Sequence, residues 1–462
     1  MLVARAKLDP HRVPVDVRIE NGQVTALREH LNPARDEDVL DARGAAVIPG
    51  LHDHHVHLAA SAVRLDSTDV GPGAVADRHA FERLLRAAPP GAGGWIRAVG
   101  YHEGVAGALD RDVLDAVHPV VPVRVQHSTG ALWVLNSAAI AATGLDELHA
   151  PGVERDLSGR VTGRIWRMDA WLRRVTPPVE RHWEEVGRDA AAAGITGFTD
   201  ATANRDDESV YDLRAAHAGG ALPQRQLLLR SDAWFPAKGD PDAGAYKIVL
   251  DDETLPDLGA FADRIRAAHE RGVPVAIHCV TRVQTVLTVA AIETAGAHGD
   301  DRIEHGSVVP VALVDALARL GVAVVTQPGF IADRGDRYLA ELESHDVDDL
   351  YRARSLVDGG VTVAAGSDAP FGPTDPWTAI RAARTRAAPS GARVGPGESV
   401  PTATALRWYL ADPRHLGSVR SLHVGADADL VVLTDCIEAV LRDPDRSAVR
   451  ATLIGGVVVH GA

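Results

Sequence analysis

A repeated strand–helix pattern from about residue 190 onwards constrains the fold of this chain more than any other feature. An apolar run, a polar residue at its end, a loop and an Ala/Arg-rich helix recur, as in "VPVAIHC" before "VQTVLTVAAIETAG" and "VTVAAGSDAP" before "PWTAIRAARTRA". Nearly all-apolar strands that alternate with helices indicate a parallel sheet covered on both faces. The number of units favours an α/β fold built as a (β/α)8 TIM-type barrel, and no G-x-G-x-x-G motif supports a dinucleotide-binding sheet.

The two ends of the chain are rich in strands instead. "VDVRIENGQVTAL" places Asn21-Gly22 between two alternating runs, which is typical of a tight hairpin. Near the other end, "ADADLVVLTD" and "ATLIGGVVVHGA" are predicted strands, the second bent at Gly455-Gly456. We predict that both termini build one small β-sandwich domain, with two unrelated edge hairpins as the alternative.

These patterns divide the chain into two domains. The small β-domain is expected to comprise residues 1–50 together with 413–462, and the barrel to comprise residues 51–412. Residues 59–190 are long for one or two β-α units, so part of them is expected to form an insertion over the barrel mouth. Which of its strands belong to the barrel stays open.

Composition narrows the class of partner. The chain has 462 residues and a formal net charge of −15, which argues against nucleic acid or an anionic membrane as the partner. The N-terminus lacks an apolar signal region, and no stretch of about 18 apolar residues occurs. Cys279 and Cys436 are the only cysteines, too few for a disulfide framework. We expect a cytoplasmic protein that acts on a small molecule.

Ligand-type residues recur where the barrel strands are expected to end, which is where active sites of such barrels lie. In "PGLHDHHVHL", residues two apart share a face of a strand, so Asp53, His55 and His57 are predicted on one side. His52 and His54 have the other parity and are expected to be turn or supporting residues. The later strand ends carry Lys247, His278, His305 and Asp368.

Together these residues predict a metal site. Imidazole and carboxylate groups suit first-row metals such as Zn²⁺, which binds histidine nitrogen at about 2.0–2.1 Å. Taken singly, His278 and His305 are also compatible with histidines of the core, and Asp368 with a helix cap. Four β-α units that each end in a ligand-type residue are hard to obtain from packing alone, so the metal site is favoured.

The same motifs resemble the amidohydrolase superfamily of metal-dependent hydrolases. "PGLHDHHVHL" resembles its P-G-x-x-D-x-H-x-H entry, "RIEHG" its sixth-strand histidine and "GSDAP" its eighth-strand aspartate. "RVQHSTGALWVLNSAAI" and "GRVTGRIWRMDAWL" are similar to the branch with N-substituted formamide deformylase and YtcJ-type proteins. The resemblance implies that the metal ligands are His55, His57, His278, His305 and Asp368. It also implies a homodimer.

Two departures from that branch concern the substrate region. Ala131 stands where the branch often carries a histidine, and "HCVTRV" follows the fifth strand in place of H-A-x-G-D. The substrates of the branch are therefore not carried over to this chain.

Lys247 decides the predicted number of metals. The chain has only three lysines, Lys7, Lys238 and Lys247, and a desolvated lysine can be neutral and reactive where arginine stays charged. In several amidohydrolase groups a lysine on this strand is carboxylated and bridges two metals, and "YKIVLDD" resembles that strand. The alternatives are a salt bridge to Asp251 or Asp252, or contact with the substrate. One metal is expected, and a second if Lys247 is carboxylated.

The predicted reaction is hydrolysis of a carbon–nitrogen bond in an amide, an N-formyl or N-acyl amine or a cyclic amide. The metal activates water, and Asp368 moves its proton to the leaving amine. A strand histidine, for which we choose His305, or His127 in the insertion, stabilises the oxyanion. The alternatives are deamination of a heterocycle, disfavoured because Thr281 stands where those members carry glutamate, and a catalytically silent scaffold.

Overall fold

The computed structural model describes residues 1–8, 13–237 and 239–461, so Lys238 lies outside the described residues. The chain divides into two compact units, one of residues Met1–Leu58 with Trp183–Ala462 and one of Ala59–His182. The first unit begins with six strands, β1 Leu2–Ala6, β2 Val15–Glu20, β3 Gln23–Arg28, β4 Val39–Asp41, β5 Val47–Pro49 and β6 Leu51–Val56.

The second part of that unit alternates helices and strands. Its first half contains α7 Trp183–Ala192, β13 Ile195–Asp200, α8 Asp207–Ala218, β14 Arg225–Arg230, β15 Ala243–Val249, α9 Leu258–Glu270, β16 Val275–Cys279, α10 Arg282–Ala295, β17 Arg302–His305 and α11 Val314–Leu320. Its second half contains β18 Ala323–Thr326, α12 Gly329–Glu341, α13 Ser344–Asp349, α14 Ala353–Asp358, β19 Val363–Ala365, α15 Pro376–Thr385, α16 Thr402–Tyr409, β20 Leu430–Leu433, α17 Ile437–Arg442, β21 Val449–Ile454 and β22 Val457–Gly461.

Eight parallel strands form the predicted barrel, in the order β19-β18-β17-β16-β15-β14-β13-β6. The ring closes where the segment after β19 meets β6: the amide of Asp368 donates to the carbonyl of His55 at 2.7 Å, and that of His57 to Ala369 at 2.8 Å. Gly366 makes this approach possible, because a Cβ there would stand 2.4 Å from the backbone nitrogen of His55. The predicted barrel is confirmed.

Two differences from the predicted units have simple causes. β14, with the sequence "RQLLLR", was not anticipated, since arginines flank its short apolar run and no ligand-type residue ends it. After β18, helix α12 begins directly at Gly329, ahead of the helix expected further along. The barrel core packs the outer faces of the strands against the helices, which begin at caps such as Asp257 for α9 and Thr281 for α10.

Both termini build the small β-sandwich, as predicted. One sheet has the order β3-β2-β1-β4 and the other β22-β21-β20-β5, and apolar residues of both sheets form one buried cluster. The hairpin at Asn21-Gly22 is confirmed, with positive φ angles of 52° and 78°. Gly455-Gly456 does not bend a single strand: it is the turn between the antiparallel strands β21 and β22. The domain bounds of 1–50 and 413–462 stay a prediction.

The unit of residues 59–182 has its own six-stranded sheet and its own apolar clusters. The strands predicted from "GWIRAVGYHEG" and "VPVRVQHSTGALWVLNSAAI" belong to this sheet and not to the barrel. The first helix of this unit begins one residue before it, at Leu58. The elements are α1 Leu58–Arg64, β7 Thr68–Asp69, α2 Arg78–Ala87, β8 Ile96–Tyr101, α3 Glu103–Ala106, α4 Arg111–Asp115, β9 Val123–His127, β10 Leu132–Leu135, α5 Ser137–Thr143, β11 Val153–Arg155, β12 Val161–Trp166 and α6 Asp169–Val175.

Candidate metal centre

Strand β6 places His55 in the barrel, and His57 follows directly after the last residue of the strand, Val56. All six residues of β6 are buried, which a strand enclosed between the barrel interior and the helices requires. His55 is fully buried and His57 partly exposed, and their ring centroids lie 5.4 Å apart. His52 and His54 are buried members of β6 and not turn residues; Nε2 of His52 lies 2.9 Å from the hydroxyl of Thr199.

Asp368 faces both histidines from the turn after β19. Its Oδ1 atom lies 3.1 Å from Nε2 of His57 and 3.4 Å from Nε2 of His55. One ligand atom from each of these three side chains lies within 4.8 Å of the others, a spacing at which all three can contact one ion. Asp368 adopts a positive φ of 55°, which is uncommon for a residue other than glycine and clusters at functional sites.

The donor atoms themselves fit a cation. The Nδ1–H of His55 donates to the carboxylate of Glu304, so Nε2 of the neutral ring carries a lone pair. Among the described residues, that buried Nε2 has no hydrogen-bond partner, and the buried Oδ1 of Asp368 has none apart from the nearby Nε2 of His57. Two buried acceptors that face each other without a proton repel, and a divalent ion between them would replace that repulsion by two bonds.

His305 and His278 extend the group along the barrel. The ring of His305 lies 4.6 Å from that of His55 and 4.5 Å from that of His278, measured between centroids. Nδ1–H of His305 donates to Oε1 of Gln327 at 2.9 Å, and the amide nitrogen of Gln327 donates to Val325, which fixes its orientation. The Nε2 lone pair of His305 is therefore available to a metal.

The parity of β17 alone would direct His305 away from the interior. Arg302 and Glu304 of this strand face inward, and a regular strand would turn the next side chain outward. His305 instead adopts a positive φ of 70° at the end of the strand, followed by a tight turn in which Gly306 donates to the carbonyl of Glu304. This single dihedral brings a second consecutive side chain into the site.

Lys247 is buried in the barrel, and its Nζ atom has no hydrogen-bond partner among the described residues. The predicted alternative of a salt bridge to Asp251 or Asp252 is wrong: Asp251 accepts from the amide of Glu253, and Asp252 from Thr281 and Gln284. Burial lowers the pKa of Lys247, although the charge of Glu304 opposes this. The neutral amine is the form of lysine that reacts with CO₂, and a lowered pKa favours this form.

Glu304 and Arg302 are functional residues that the sequence interpretation missed. Glu304 is fully buried and accepts from Nδ1 of His55 and from the guanidinium of Arg302, whose Nη2 also donates to the carbonyl of His54 at 2.8 Å. Burial alone would raise the pKa of Glu304, but Arg302, His55 and Lys247 hold it well below its ordinary value. The signal in the sequence was a charged pair at i and i+2 inside an otherwise apolar strand, "RIEH".

The pKa shifts of the histidines favour metal binding. Burial and the nearby charge of Lys247 lower the pKa of His55 to about 3, although Glu304 opposes them. Burial likewise lowers the pKa of His278 and of His305. Neutral imidazole is the form that coordinates a metal, so burial prepares all three rings for that role.

Asp53 does not join the group of candidate metal ligands, because its side chain accepts hydrogen bonds from backbone amides. Its Oδ1 accepts from the amides of His55 at 3.1 Å and Ser367 at 2.9 Å, which ties β6 to the turn that carries Asp368. Burial raises the pKa of Asp53 to about 6, against the effect of these hydrogen bonds. Asp368 does not cap the following helix: Asp375 caps α15 by accepting from the amides of Trp377 and Thr378.

The unit of residues 59–182 contains two further groups of ligand-type residues, His102 with Glu103 and His127, and Asp66 with Glu180 and His182. In the first group Nε2 of His127 lies 2.8 Å from Glu103, while Nδ1 of both histidines accepts a backbone N–H, from Gly104 and Thr129. The neutral rings therefore carry their protons on Nε2, which suits hydrogen bonding to the carboxylate better than metal binding.

Comparison with known proteins assigns the chain to a family. The amidohydrolase family model matches residues 38–460, which is nearly the whole chain. The chain belongs to the amidohydrolase family. This amidohydrolase is 29% identical to N-substituted formamide deformylase of Arthrobacter pascens, over 89% of this chain and 88% of the relative. It is 25% identical to the putative amidohydrolase YtcJ of Bacillus subtilis, over 95% of this chain and 93% of the relative.

The fold has a solved counterpart. An uncharacterized metal-dependent hydrolase from Pyrococcus horikoshii superposes with a TM-score of 0.70 at 18% sequence identity, with 99% of each chain covered. The resemblance to the amidohydrolases and to the deformylase and YtcJ branch is thereby confirmed. No helix among the described residues is both long enough and apolar enough to cross a bilayer.

Proposed function

We propose that this amidohydrolase uses a divalent metal, zinc in the first place, to hydrolyse the carbon–nitrogen bond of a small neutral or cationic amide, N-formyl or N-acyl amine or cyclic amide. The observation that carries the proposal is the convergence of His55, His57 and Asp368 at the strand ends, where Nε2 of His55 and Oδ1 of Asp368 face each other at 3.4 Å and form no hydrogen bond with each other in the described part of the chain. The sequence similarity to a formamide deformylase over most of both chains supports the class of substrate.

Each residue of the centre has a defined part in this proposal. A divalent cation held here would polarise the scissile carbonyl and lower the pKa of a water molecule. Asp368 accepts the proton of that water through its carboxylate and returns it to the leaving nitrogen. His305 has only Nε2 left for chemistry, because Nδ1 is occupied by Gln327, so we assign it to holding the ion and not to the oxyanion.

Lys247 is proposed to be carboxylated and to hold a second ion. In that step the neutral Nζ attacks CO₂, a carbon–nitrogen bond forms and one proton leaves, which gives a carbamate with two oxygen atoms. The absence of any hydrogen-bond partner for Nζ among the described residues supports this, because an unmodified buried amine would leave its donors unsatisfied.

The test combines metal analysis with a substrate screen. The protein is expected to contain at least one zinc or other transition metal per chain after metal-supplemented expression. It is also expected to release amine from members of a panel of N-formyl and N-acyl amines, without forming ammonia from aminated heterocycles. Ammonia release from the heterocycles alone would favour deamination. A chain without metal and inactive on both panels would indicate a scaffold protein.

An Asp368→Asn variant tests the proton transfer. It keeps the size of the side chain and one oxygen ligand, so we expect it to retain metal and to lose at least about 10²-fold in kcat/KM. Asp375→Asn is the matched control, because an asparagine there can still cap α15 and the residue has no part in the centre. Near-native turnover of the Asp368 variant would exclude Asp368 as the proton carrier.

A further inference from the structure

A cavity lies at the end of the barrel where the strands begin, opposite the strand ends that carry the metal centre. It has a volume of about 620 Å³ and is lined where β15 to β19 begin, by residues such as Gly244, Pro274, Ala323 and Thr362. All of its lining residues belong to the unit that contains the barrel. The volume is that of a site for a small molecule.

Two arginines on the wall of this cavity have no carboxylate partner among the residues that the structure describes. Arg230, at the end of β14, is 5% exposed, and its guanidinium donates to the carbonyls of Pro236 and Gly244. Arg414, in the loop after α16, is exposed and donates to the carbonyls of Ala243 and Pro241. Within the described parts of the chain, neither guanidinium forms an ion pair.

The carboxylates of the lining are already engaged elsewhere. Asp240 accepts from Nη2 of Arg214 at 2.7 Å, and Asp300 lies 3.1 Å from Nδ1 of His415. Burial lowers the pKa of Arg230, the charge of Asp240 opposes this, and the charges of Arg271 and Arg414 lower the pKa further. The buried guanidinium of Arg230 therefore has main-chain oxygens as its hydrogen-bond acceptors and contacts no carboxylate among the described residues, although a desolvated cation is costly unless an anion accompanies it.

We propose that this cavity binds the oxyanion group of a small organic molecule, a carboxylate or a phosphate, between the guanidinium groups of Arg230 and Arg414. Guanidinium groups present forked donors that match such oxyanions. The glycine, alanine and proline residues of the lining leave room and apolar surface for the rest of the ligand. This ligand differs in charge from the amide substrate proposed for the metal centre.

Arg302 connects the cavity with the metal centre. It lines the cavity, and its guanidinium holds Glu304, which in turn holds Nδ1 of His55. A ligand in the cavity would thus contact a residue that supports a proposed metal ligand. None of the proposed metal ligands lines the cavity, so the proposed ligand site is separate from the groups that would hold the metal.

Isothermal titration calorimetry of the full-length protein with two probes, succinate and inorganic phosphate, tests the proposal. We expect saturable binding of at least one probe, with one site per chain that Arg414→Gln weakens at least about tenfold. Arg414→Lys should weaken it less, because a charge remains without the fork. Binding of succinate alone identifies a carboxylate ligand, and binding of phosphate alone a phosphate ligand.

Two controls locate the site. Arg384→Gln removes another exposed arginine that donates to a main-chain carbonyl, that of Arg442 at 2.9 Å, and should leave binding unchanged. If a probe also binds at the metal centre, Arg414→Gln should not change that binding. A loss of affinity in this variant therefore reports binding in the cavity. Succinamide, which has the shape of succinate without its charge, should not bind. Absence of saturable binding of both probes, equal binding by Arg414→Gln, or equal binding of succinamide would overturn the proposal.

Discussion

Replacing Glu304 by glutamine should loosen the metal centre without changing any residue that we propose to contact the ion. The carboxylate of Glu304 is fully buried between Nδ1 of His55 and the guanidinium of Arg302. A glutamine of the same size keeps the packing but removes the charge that makes the His55 ring a stronger base. It also leaves Arg302 without its carboxylate.

The magnitude follows from these two contacts. Loss of a carboxylate that orients a metal-binding histidine typically costs 10–100-fold in metal affinity, which corresponds to about 1.4–2.8 kcal/mol. Loss of one partner of a buried ion pair costs about 3–5 kcal/mol of unfolding free energy. We therefore expect Glu304→Gln to raise the Kd for Zn²⁺ by 10–100-fold, measured by competition with a chelator, and to lower the stability of the protein in urea.

Glu398→Gln separates the two effects. Glu398 is also buried and paired with an arginine, since Nη1 of Arg352 donates to it at 3.0 Å, but neither residue contacts the metal centre. This variant should lose stability and keep the native Kd for the metal. If Glu304→Gln binds zinc as tightly as the native protein, or Glu398→Gln loses as much affinity, the proposed support of His55 by Glu304 is wrong.

Three further predictions concern the lysine, the barrel closure and pH. With ¹³C-labelled bicarbonate, the native protein should show the NMR resonance of a carbamate carbon. The Lys247→Met variant should lack this resonance and should bind about half as much metal. If the variant lacks the resonance but keeps its full metal content, Lys247 does not bridge two metals. Gly366→Ala places a Cβ against the backbone of β6, so it should lower the free energy of unfolding by about 1–3 kcal/mol and weaken metal binding. Gly397→Ala places a Cβ that meets no atom within 4 Å, so it should change neither quantity. Burial would lower the pKa of His269, but its hydrogen bond to Asp301 raises it above 6.5, so this contact stabilises the fold below that pH and less as pH rises. His269→Gln should thus lose more urea stability at about pH 5.5 than at about pH 8.5, and an equal loss at both would refute the assignment.

The meeting of the strand-end side chains was predictable because parallel barrel strands end at one face, so polar residues that end apolar runs must lie close together there. His55, His57 and Asp368 follow from this rule alone. The support of the centre was not predictable in the same way. Glu304 needs a partner 249 residues away in the sequence, and the position of His305 depends on one positive φ angle that no periodicity encodes.

The sheet of the unit of residues 59–182 could not be told apart from the barrel by sequence. Its strands β8 to β10 have the same apolar character as the barrel strands, so composition could not separate the two sheets. Only pairing partners distinguish them, and pairing across long separations leaves no local pattern.

The hydrogen bonds that close the barrel flank the very residues that face the proposed ion, since Asp368 and His57 use their own amides to join the first strand to the last. The seam of the cylinder and the reactive centre are therefore one piece of structure. Widening that seam by an ångström would also separate the donor atoms of the metal centre. Heat or denaturant that separates these two strands should therefore open the barrel and release the ion at the same time. A circular permutant with its new termini at this seam would lose both the closed barrel and the metal centre. Metal binding therefore reports whether the barrel is closed.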